Sequence, residues 1–166
     1  MNRKIKKLFV PERIIHSLEE IRISDLKKAG ISHLLLDLDN TLVPLKEENP
    51  SNTIHNFLAA CRCHGVQVHL FSNNFTYKIY PYAKSLHLDY YGFCCKPFPF
   101  AYWKFLRDIQ QKPSSVLAIG DQIFTDILGA HFVHIQAYYL AQQHQNDYLL
   151  TKVLRYFERK IIKYDT

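Results

Sequence analysis

The sequence lacks the long apolar runs that membrane-spanning proteins and secreted precursors carry. No run among its 166 residues approaches the roughly 20 apolar residues that cross a bilayer. The N-terminal "MNRKIKK" is basic, but only "LFV" follows it, whereas a signal peptide needs an apolar stretch of roughly 7–15 residues. We therefore expect a cytoplasmic protein rather than a secreted or integral membrane protein.

The sequence also lacks the cysteine spacing of a zinc site. Its four cysteines, Cys61, Cys63, Cys94 and Cys95, form no Cys-x-x-Cys pair. Cys61 and Cys63 fall in a helical pattern, in which residues i and i+2 do not share a face. The pattern favours reduced structural thiols over a metal centre.

Internal repeats, low-complexity tracts and linkers are absent as well, which favours a single domain over residues 1–166. Hydrophobic residues make up 48% and charged residues 22%, a balance typical of a globular chain with a core. Lys and Arg number 21 against 15 Asp and Glu, which gives a formal charge of +6. This excess favours an anionic partner such as a phosphorylated substrate, a nucleic acid or an acidic membrane surface.

Strand-like and helix-like segments alternate along the chain, as is typical of βαβ units. The predicted strands are "SHLLLDL", "VQVHLFS", "YYGFC", "SVLAIGD" and "HIQAYYL". We predict an α/β fold, a three-layer α/β/α sandwich around a mostly parallel, five-stranded Rossmann-like sheet. Residues 31–140 form its predicted core, residues 1–30 a basic helical extension with a helix from Pro11 to Lys28, and residues 147–163 a basic C-terminal helix.

Polar residues follow four of these strands, at the end where ligands bind in such sheets. They are Asp37, Asp39 and Thr41, then Ser72 and Asn73, then Lys96, and finally Asp121 and Asp126. Taken singly, each group has a structural explanation. A serine, asparagine or aspartate can cap a helix, and a lysine usually lies in solvent.

Taken together, the same residues have the pattern of a phosphoryl-transfer site. Three aspartates that converge at one edge of a sheet repel each other unless a divalent cation neutralises them. Oxygen ligands with room for water suit Mg²⁺, which also binds substrate phosphate. The lysine and the serine hydroxyl supply the donors that a phosphoryl group needs.

The segments "DLDNTLV", "SNN", "KP" and "GDQIFTD" resemble the four ordered motifs of the haloacid dehalogenase superfamily of phosphatases. The matching segments lie within residues 34 to 126, and the expected fold extends over most of the chain. The form of the second and fourth motifs, and the basic segment before the first strand, are similar to subfamily III A. The resemblance is to its YqeG-like branch, which includes phosphatidylglycerophosphate phosphatases.

The resemblance implies a role for each motif residue. Asp37 is the implied nucleophile that forms an aspartyl-phosphate, and Asp39 is the implied acid and base for the leaving alcohol and the attacking water. The implied phosphate ligands are Thr41, Ser72, Asn73 and Lys96. The implied Mg²⁺ ligands are Asp37, Asp121 and the backbone carbonyl of Asp39. Asp126 is implied to lie just outside the metal ligands or to hold Lys96.

One segment departs from the family pattern. After "GDQIFTDILGA" the family continues with Asn, Arg and Gly, whereas this chain continues with His131, Phe132, Val133 and His134. The catalytic positions are intact, so the departure concerns the local turn and the substrate rim. We interpret His131 and His134 as loop or rim residues.

The intervals between the motifs leave no room for the cap domain that relatives of this fold often insert. Asp37 to Ser72 is 35 residues and Ser72 to Lys96 is 24, and predicted helices and strands already fill both intervals. A capless site is open, which favours a large or anchored substrate, although oligomerisation could also supply a cover. The segment "YYGFCCKPFPFAYW" around Lys96 is either a helix–sheet core or an apolar rim beside the phosphate site.

The resemblance and the basic flanks together predict a lipid substrate. The segments "NRKIKKLF" and "TKVLRYFERKIIK" can lie on an anionic bilayer, or can pack on the sheet with solvated basic faces. We expect the protein to hydrolyse phosphatidylglycerophosphate at the inner face of the membrane, as a peripheral protein with no nucleic acid partner. A phosphatase of nucleotides or other soluble phosphomonoesters, and a non-catalytic phosphate-binding or scaffold protein, are the alternatives.

Overall fold

The computed structural model describes residues 7–38 and 51–141. Its six strands are β1 (Arg13–Ile15), β2 (His33–Leu36), β3 (Gln67–Phe71), β4 (Asp89–Tyr91), β5 (Val116–Gly120) and β6 (Gln136–Leu140). They form one parallel sheet in the order β1-β6-β5-β2-β3-β4. The predicted α/β fold is confirmed, with one strand more than the five predicted.

Helices cover both faces of the sheet. They are α1 (Ile23–Lys28), α2 (Asn52–Cys63), α3 (Thr76–Leu86), α4 (Phe100–Ile109) and α5 (Leu128–Phe132), with 3₁₀ turns at Leu18–Glu20 and Pro113–Ser115 and a π-helical turn at Ile123–Ile127. Leu34 and Leu36 pack against α1, α2 and α3, whereas Leu35 packs against α4, the π-helical turn and α5 on the other face. Because both faces are buried, β2 is buried along its whole length and its three leucines follow one another without alternation.

The helix predicted from Pro11 to Lys28 is wrong over its first half. Residues Arg13–Ile15 form β1 at the edge of the sheet, and only Ile23–Lys28 form an α-helix. β1 satisfies backbone groups along the edge of β6, since Glu12 N–H donates to Ala137 O and Ala141 N–H donates to Ile15 O. The helix-like spacing arose because Ile15 of β1, Leu18 of the 3₁₀ turn, Ile21 directly after that turn and Leu26 of α1 all enter the core.

The parallel sheet brings four strand ends to one side, here called the carboxyl edge. β2 lies in the middle of the sheet, with Leu36 opposite Ile119 of β5 and Leu70 of β3. The segments that follow β2, β3, β4 and β5 therefore meet at this edge. The predicted site residues Asp39 and Thr41, and the predicted helix over 147–163, lie outside the described residues.

A helix must be long and apolar to cross a membrane. Within residues 7–38 and 51–141, none of the helices is both long and apolar enough to cross a bilayer.

Candidate active site

The buried side chain of Lys96 lies at the centre of the carboxyl edge. Its Nζ is 2.6 Å from Asp37 Oδ1, 2.6 Å from Asp126 Oδ1 and 2.9 Å from the carbonyl oxygen of Phe71. An ammonium group has three N–H donors, and each of the three has an acceptor here. Lys96 thus links the end of β2, the end of β3 and the turn after β5.

The charge of Lys96 is stabilised by its neighbours. Burial alone would lower the pKa of this ammonium, but the carboxylates of Asp126 and Asp37 outweigh burial and hold the pKa well above its usual value. Lys96 is therefore a fixed positive charge at neutral pH. A buried cation between carboxylates stabilises negative charge that develops beside it, as on a transferring phosphoryl group.

Backbone and amide hydrogen bonds fix the loop that carries Lys96. Asn73 Oδ1 accepts the N–H of Lys96 at 2.6 Å, and Asn73 Nδ2 donates to the Lys96 carbonyl at 3.1 Å. The N–H of Phe93 donates to Asn74 O, and the N–H of Cys94 donates to Ser72 O. Both polar atoms of the Asn73 amide thus bind the backbone of Lys96, which gives Asn73 a positioning role, and the phosphate contact that the resemblance implies stays a prediction.

Ser72 lies directly after β3 and is fully buried. Its N–H donates to the Tyr91 carbonyl, and its Oγ accepts the N–H of Asn74 at 3.1 Å. Because the hydroxyl oxygen accepts this bond, its own O–H is able to donate to a second acceptor. A phosphoryl oxygen at the carboxyl edge is an acceptor of the kind that this hydroxyl suits.

Three buried carboxylates, those of Asp37, Asp121 and Asp126, share the edge with Lys96. Each offers an oxygen, and these oxygens all lie within 4.8 Å of one another. Three carboxylates against one ammonium leave an excess of two negative charges when all are ionised. Oxygen donors with excess negative charge at this spacing fit a hard divalent cation, so the residues present suit a metal of this class.

The position of Asp126 depends on a glycine that the sequence analysis did not single out. A Cβ on Gly120 would lie 2.4 Å from both Cγ and Oδ2 of Asp126, far closer than carbon atoms approach without bonding. Asp126 lies in the π-helical turn, where its Oδ2 accepts the N–H of Gln122 at 3.1 Å. Gly120 thus allows the Asp126 carboxylate to reach Lys96. The position of this glycine at the end of β5, directly before "DQ", is the sequence feature from which its role could have been predicted.

The two histidines interpreted as loop or rim residues differ in position, His131 on a helix and His134 in a turn. His131 is on α5, where one ring nitrogen is 2.8 Å from Leu8 O and the other is 3.2 Å from Glu12 Oε2. Burial lowers the pKa of His131, but the bonds to Glu12 and Leu8 outweigh it and raise that pKa above its usual value. His131 therefore anchors the segment before β1, and the rim interpretation is wrong for it. His134 adopts a left-handed conformation in the turn before β6.

The comparisons with known proteins agree with this geometry. A family model described as HAD-hydrolase-like matches residues 93–149. A probable phosphatase YqeG of Bacillus subtilis is 26% identical over 158 residues, which are 95% of this chain and 92% of that relative.

Two solved structures share the fold. One is the cobalt-bound deoxy-D-mannose-octulosonate 8-phosphate phosphatase of Haemophilus influenzae, with a TM-score of 0.56 and 12% identity over 82% of this chain and 90% of that chain. The other is an uncharacterized protein of Listeria monocytogenes, with a TM-score of 0.56 and 15% identity over 80% of this chain and 99% of that chain. At these identities the two structures show a common fold.

Proposed function

We propose that this chain is a phosphatase of the haloacid dehalogenase type that uses Asp37 as its nucleophile and phosphatidylglycerophosphate as its substrate. The observation that carries the proposal is the buried ammonium of Lys96 between Asp37 and Asp126, with Asp121 beside them. We further propose that residues 1–166 act as one catalytic domain, on the cytoplasmic face of the membrane.

The proposed reaction has two displacements at phosphorus. In the first, a carboxylate oxygen of Asp37 forms a bond to phosphorus as the bond to the lipid oxygen breaks, and Asp39 protonates the departing alcohol. In the second, Asp39 takes a proton from water, the water oxygen bonds to phosphorus, and the bond to Asp37 breaks. The products are the alcohol and inorganic phosphate, with Asp37 restored.

The described residues have distinct tasks in this scheme. Lys96 holds the Asp37 carboxylate by its 2.6 Å hydrogen bond and offsets negative charge at the phosphoryl group. Ser72 donates to a phosphoryl oxygen, and Asn73 keeps the Lys96 backbone in place. Asp126 holds Lys96 from the other side.

A divalent cation, which we propose is Mg²⁺, offsets the repulsion between the nucleophile and the phosphate when it is bound. Asp37, Asp121 and the backbone carbonyl of Asp39 are the groups that would hold it. Thr41 would support the phosphate.

The lipid substrate is supported by the resemblance of the motifs to the YqeG-like branch and by the positive charge of the chain. The formal charge of +6 attracts anionic headgroups and anionic bilayers. Because the intervals between the motifs are too short for a cap domain, we expect the site to admit a headgroup that stays anchored in its membrane.

The test is a substrate panel measured with and without Mg²⁺. Purified protein is assayed on phosphatidylglycerophosphate in mixed micelles, on nucleotides and on p-nitrophenyl phosphate, with EDTA as the metal-free condition. We expect the phospholipid to be hydrolysed with the highest kcat/KM, and EDTA to abolish turnover. Asp37→Asn should reduce kcat at least about a thousandfold without unfolding the protein.

Matched controls make the outcomes of this panel distinct. Asp25→Asn changes an exposed aspartate on α1 and should leave kcat at the wild-type value. Faster turnover of the soluble esters would overturn the lipid substrate while leaving the phosphatase chemistry intact. Turnover that survives Asp37→Asn would overturn the assignment of the nucleophile.

A further inference from the structure

Exposed aromatic side chains gather beside the candidate active site. Six of them, each between 53% and 71% exposed, form what we define as the aromatic rim: Phe75, Tyr77, Phe93, Phe98, Phe100 and Trp103. All six lie in the segments that follow β3 and β4, up to the first turns of α3 and α4. The rim is therefore at the carboxyl edge, on the same side of the sheet as Lys96.

Five of the six rim side chains contact another ring of the rim, in two groups. The ring of Phe75 stacks on Tyr77 at 5.9 Å and on Phe93 at 5.5 Å, and Phe100 meets Trp103 edge to face at 5.8 Å. Single exposed aromatics need no explanation, but several exposed rings that gather at one edge of a sheet are typical of an interaction surface.

The hydrogen bonds that position the site also position the rim. Phe93 N–H donates to Asn74 O at 2.8 Å, and Phe98 N–H donates to Cys95 O at 3.0 Å. Between these two bonds lies Lys96, which Asn73 holds. The rim and the site are thus parts of the same pair of loops.

The backbone conformation and the exposure of Phe93 do not contribute to the stability of the fold. Its φ is +51°, in the left-handed region that bulky side chains rarely adopt, and the ring is 62% exposed. Neither the backbone nor burial favours a phenylalanine there. A role outside the fold accounts for both features.

The charges around the rim complement an anionic surface. Residues 71–104 contain four lysines and one acidic residue, Asp89. Two of these lysines are exposed within the first two turns of the helices that carry rim residues, Lys78 on α3 and Lys104 on α4, where Lys104 pairs with Asp108. Lys84 lies in the last turn of α3, away from the rim. Exposed aromatic rings flanked by lysines have the composition of protein surfaces at the headgroup level of bilayers.

We infer that the aromatic rim enters the headgroup region of an anionic bilayer and thereby faces the active site toward its lipid substrate. The inference rests on the proposed function for the identity of that substrate, but the contact itself is independent of turnover. A bilayer accounts for the rings and the lysines together, since the rings enter the apolar boundary while the ammonium groups meet lipid phosphates.

The first experiment uses a built-in reporter. Trp103 is the single tryptophan of the chain, so its fluorescence reports on the rim alone. Phosphatidylcholine vesicles that contain phosphatidylglycerol should shift its emission to the blue, and brominated lipid should quench it. Pure phosphatidylcholine should give a weaker shift, and added salt should reverse binding in part. An emission spectrum unchanged by anionic vesicles would overturn the inference.

The second experiment compares matched variants by vesicle co-sedimentation. The double variant Phe100→Ser and Trp103→Ser should bind the phosphatidylglycerol vesicles at least about tenfold more weakly for each ring removed. Phe132→Ser is the matched control, because Phe132 is 46% exposed at the end of α5, away from the carboxyl edge. It should bind as the wild type does. Phe93→Gly, which suits the left-handed backbone, keeps the test valid if the double variant fails to fold.

Activity separates a failure of this inference from a failure of the proposed function. The double variant of Phe100 and Trp103 should hydrolyse p-nitrophenyl phosphate at the wild-type rate while losing activity on lipid in vesicles. If the rim variants bind vesicles as strongly as the wild type does, the inferred contact between the rim and the bilayer is overturned, whichever substrate the enzyme hydrolyses. Rim-dependent binding without lipid hydrolysis overturns the substrate and supports the rim. A wild-type dimer that the rim variants convert to monomers, with no vesicle binding, overturns the bilayer in favour of a second copy of the chain.

Discussion

At the scale of single residues, the buried ammonium of Lys96 is the counter-charge of two buried carboxylates. Asp37 and Asp126 are each 2.6 Å from its Nζ and lie beside Asp121. Such an arrangement is stable only as a whole, because removing one partner leaves buried charge uncompensated. The same arrangement gives the site a strong local field where a phosphoryl group would bind.

The first prediction concerns that ammonium. Lys96→Met should lower the free energy of unfolding by about 3–5 kcal/mol at neutral pH, because two buried carboxylates lose their counter-charge. It should also abolish phosphatase turnover. Urea denaturation and a p-nitrophenyl phosphate assay measure the two effects.

Lys104→Met provides the comparison for this variant. Lys104 pairs with Asp108 at 2.6 Å on the exposed side of α4, and because solvent screens an exposed pair, this variant should lose far less stability than Lys96→Met. Equal losses of stability in the two variants would contradict the account of Lys96.

At the scale of elements, two histidines join the neighbouring strands β2 and β3 inside the sheet. His33 Nδ1 lies 3.1 Å from His69 Nε2, and the two rings stack, with Phe105 of α4 edge-on to His69. Burial, followed by the proximity of His33, lowers the pKa of His69 to about 4 although Asp89 acts in the opposite direction. Burial also lowers the pKa of His33. Both rings are therefore neutral in the folded protein at neutral pH.

The second prediction is a pH dependence of stability with a defined sign. Below pH about 6.5 the unfolded chain binds protons at His69 that the folded chain does not bind until pH about 4. The contribution of the neutral His69 to the free energy of unfolding is thus fully present above pH about 6.5 and decreases as the pH falls toward about 4. The slope that His69 contributes is up to about 1.4 kcal/mol per pH unit. Urea denaturation at several pH values measures it.

Two variants isolate this histidine. His69→Gln should reduce the slope between pH 6.5 and 4 by about the amount stated, whatever its effect on stability at pH 7. His55→Gln alters an exposed histidine of α2 and should keep the wild-type slope. A slope that His69→Gln leaves unchanged would show that other groups cause the acid dependence.

At the scale of the whole molecule, binding of a divalent cation should be coupled to folding, because its proposed ligands come from elements far apart in sequence. Asp37 follows β2, and Asp121 follows β5. An unfolded chain does not hold these carboxylates together, so the cation binds the folded state preferentially.

The third prediction follows from this coupling. Mg²⁺ at 100 times its Kd should raise the free energy of unfolding by about 2.7 kcal/mol relative to EDTA, which is visible as a rise in Tm. Asp121→Asn should reduce the rise, because it removes a proposed ligand, whereas Asp25→Asn on exposed α1 should not. The same rise in all three proteins would indicate a general salt effect instead of a bound ion.

The parts of this protein that follow from its sequence are those that depend on local pattern. Apolar runs of strand length, helical spacing and the order of Asp37, Ser72, Lys96 and Asp121 sufficed for the fold class and for the edge at which polar groups meet. Because the strands are parallel, their carboxyl ends lie at one edge of the sheet, and the motif residues that follow them therefore meet there.

Other features were decided only by the tertiary structure, because they depend on contacts between residues distant in sequence. The spacing from Pro11 to Lys28 is helical, yet the open edge of β6 draws Arg13–Ile15 into a strand. The close approach of Gly120 to Asp126 and the stacking of Phe75 on Phe93 likewise arise from packing. Periodicity indicates which side chains are buried or exposed, but the packing of the sheet and its loops determines which residues contact each other.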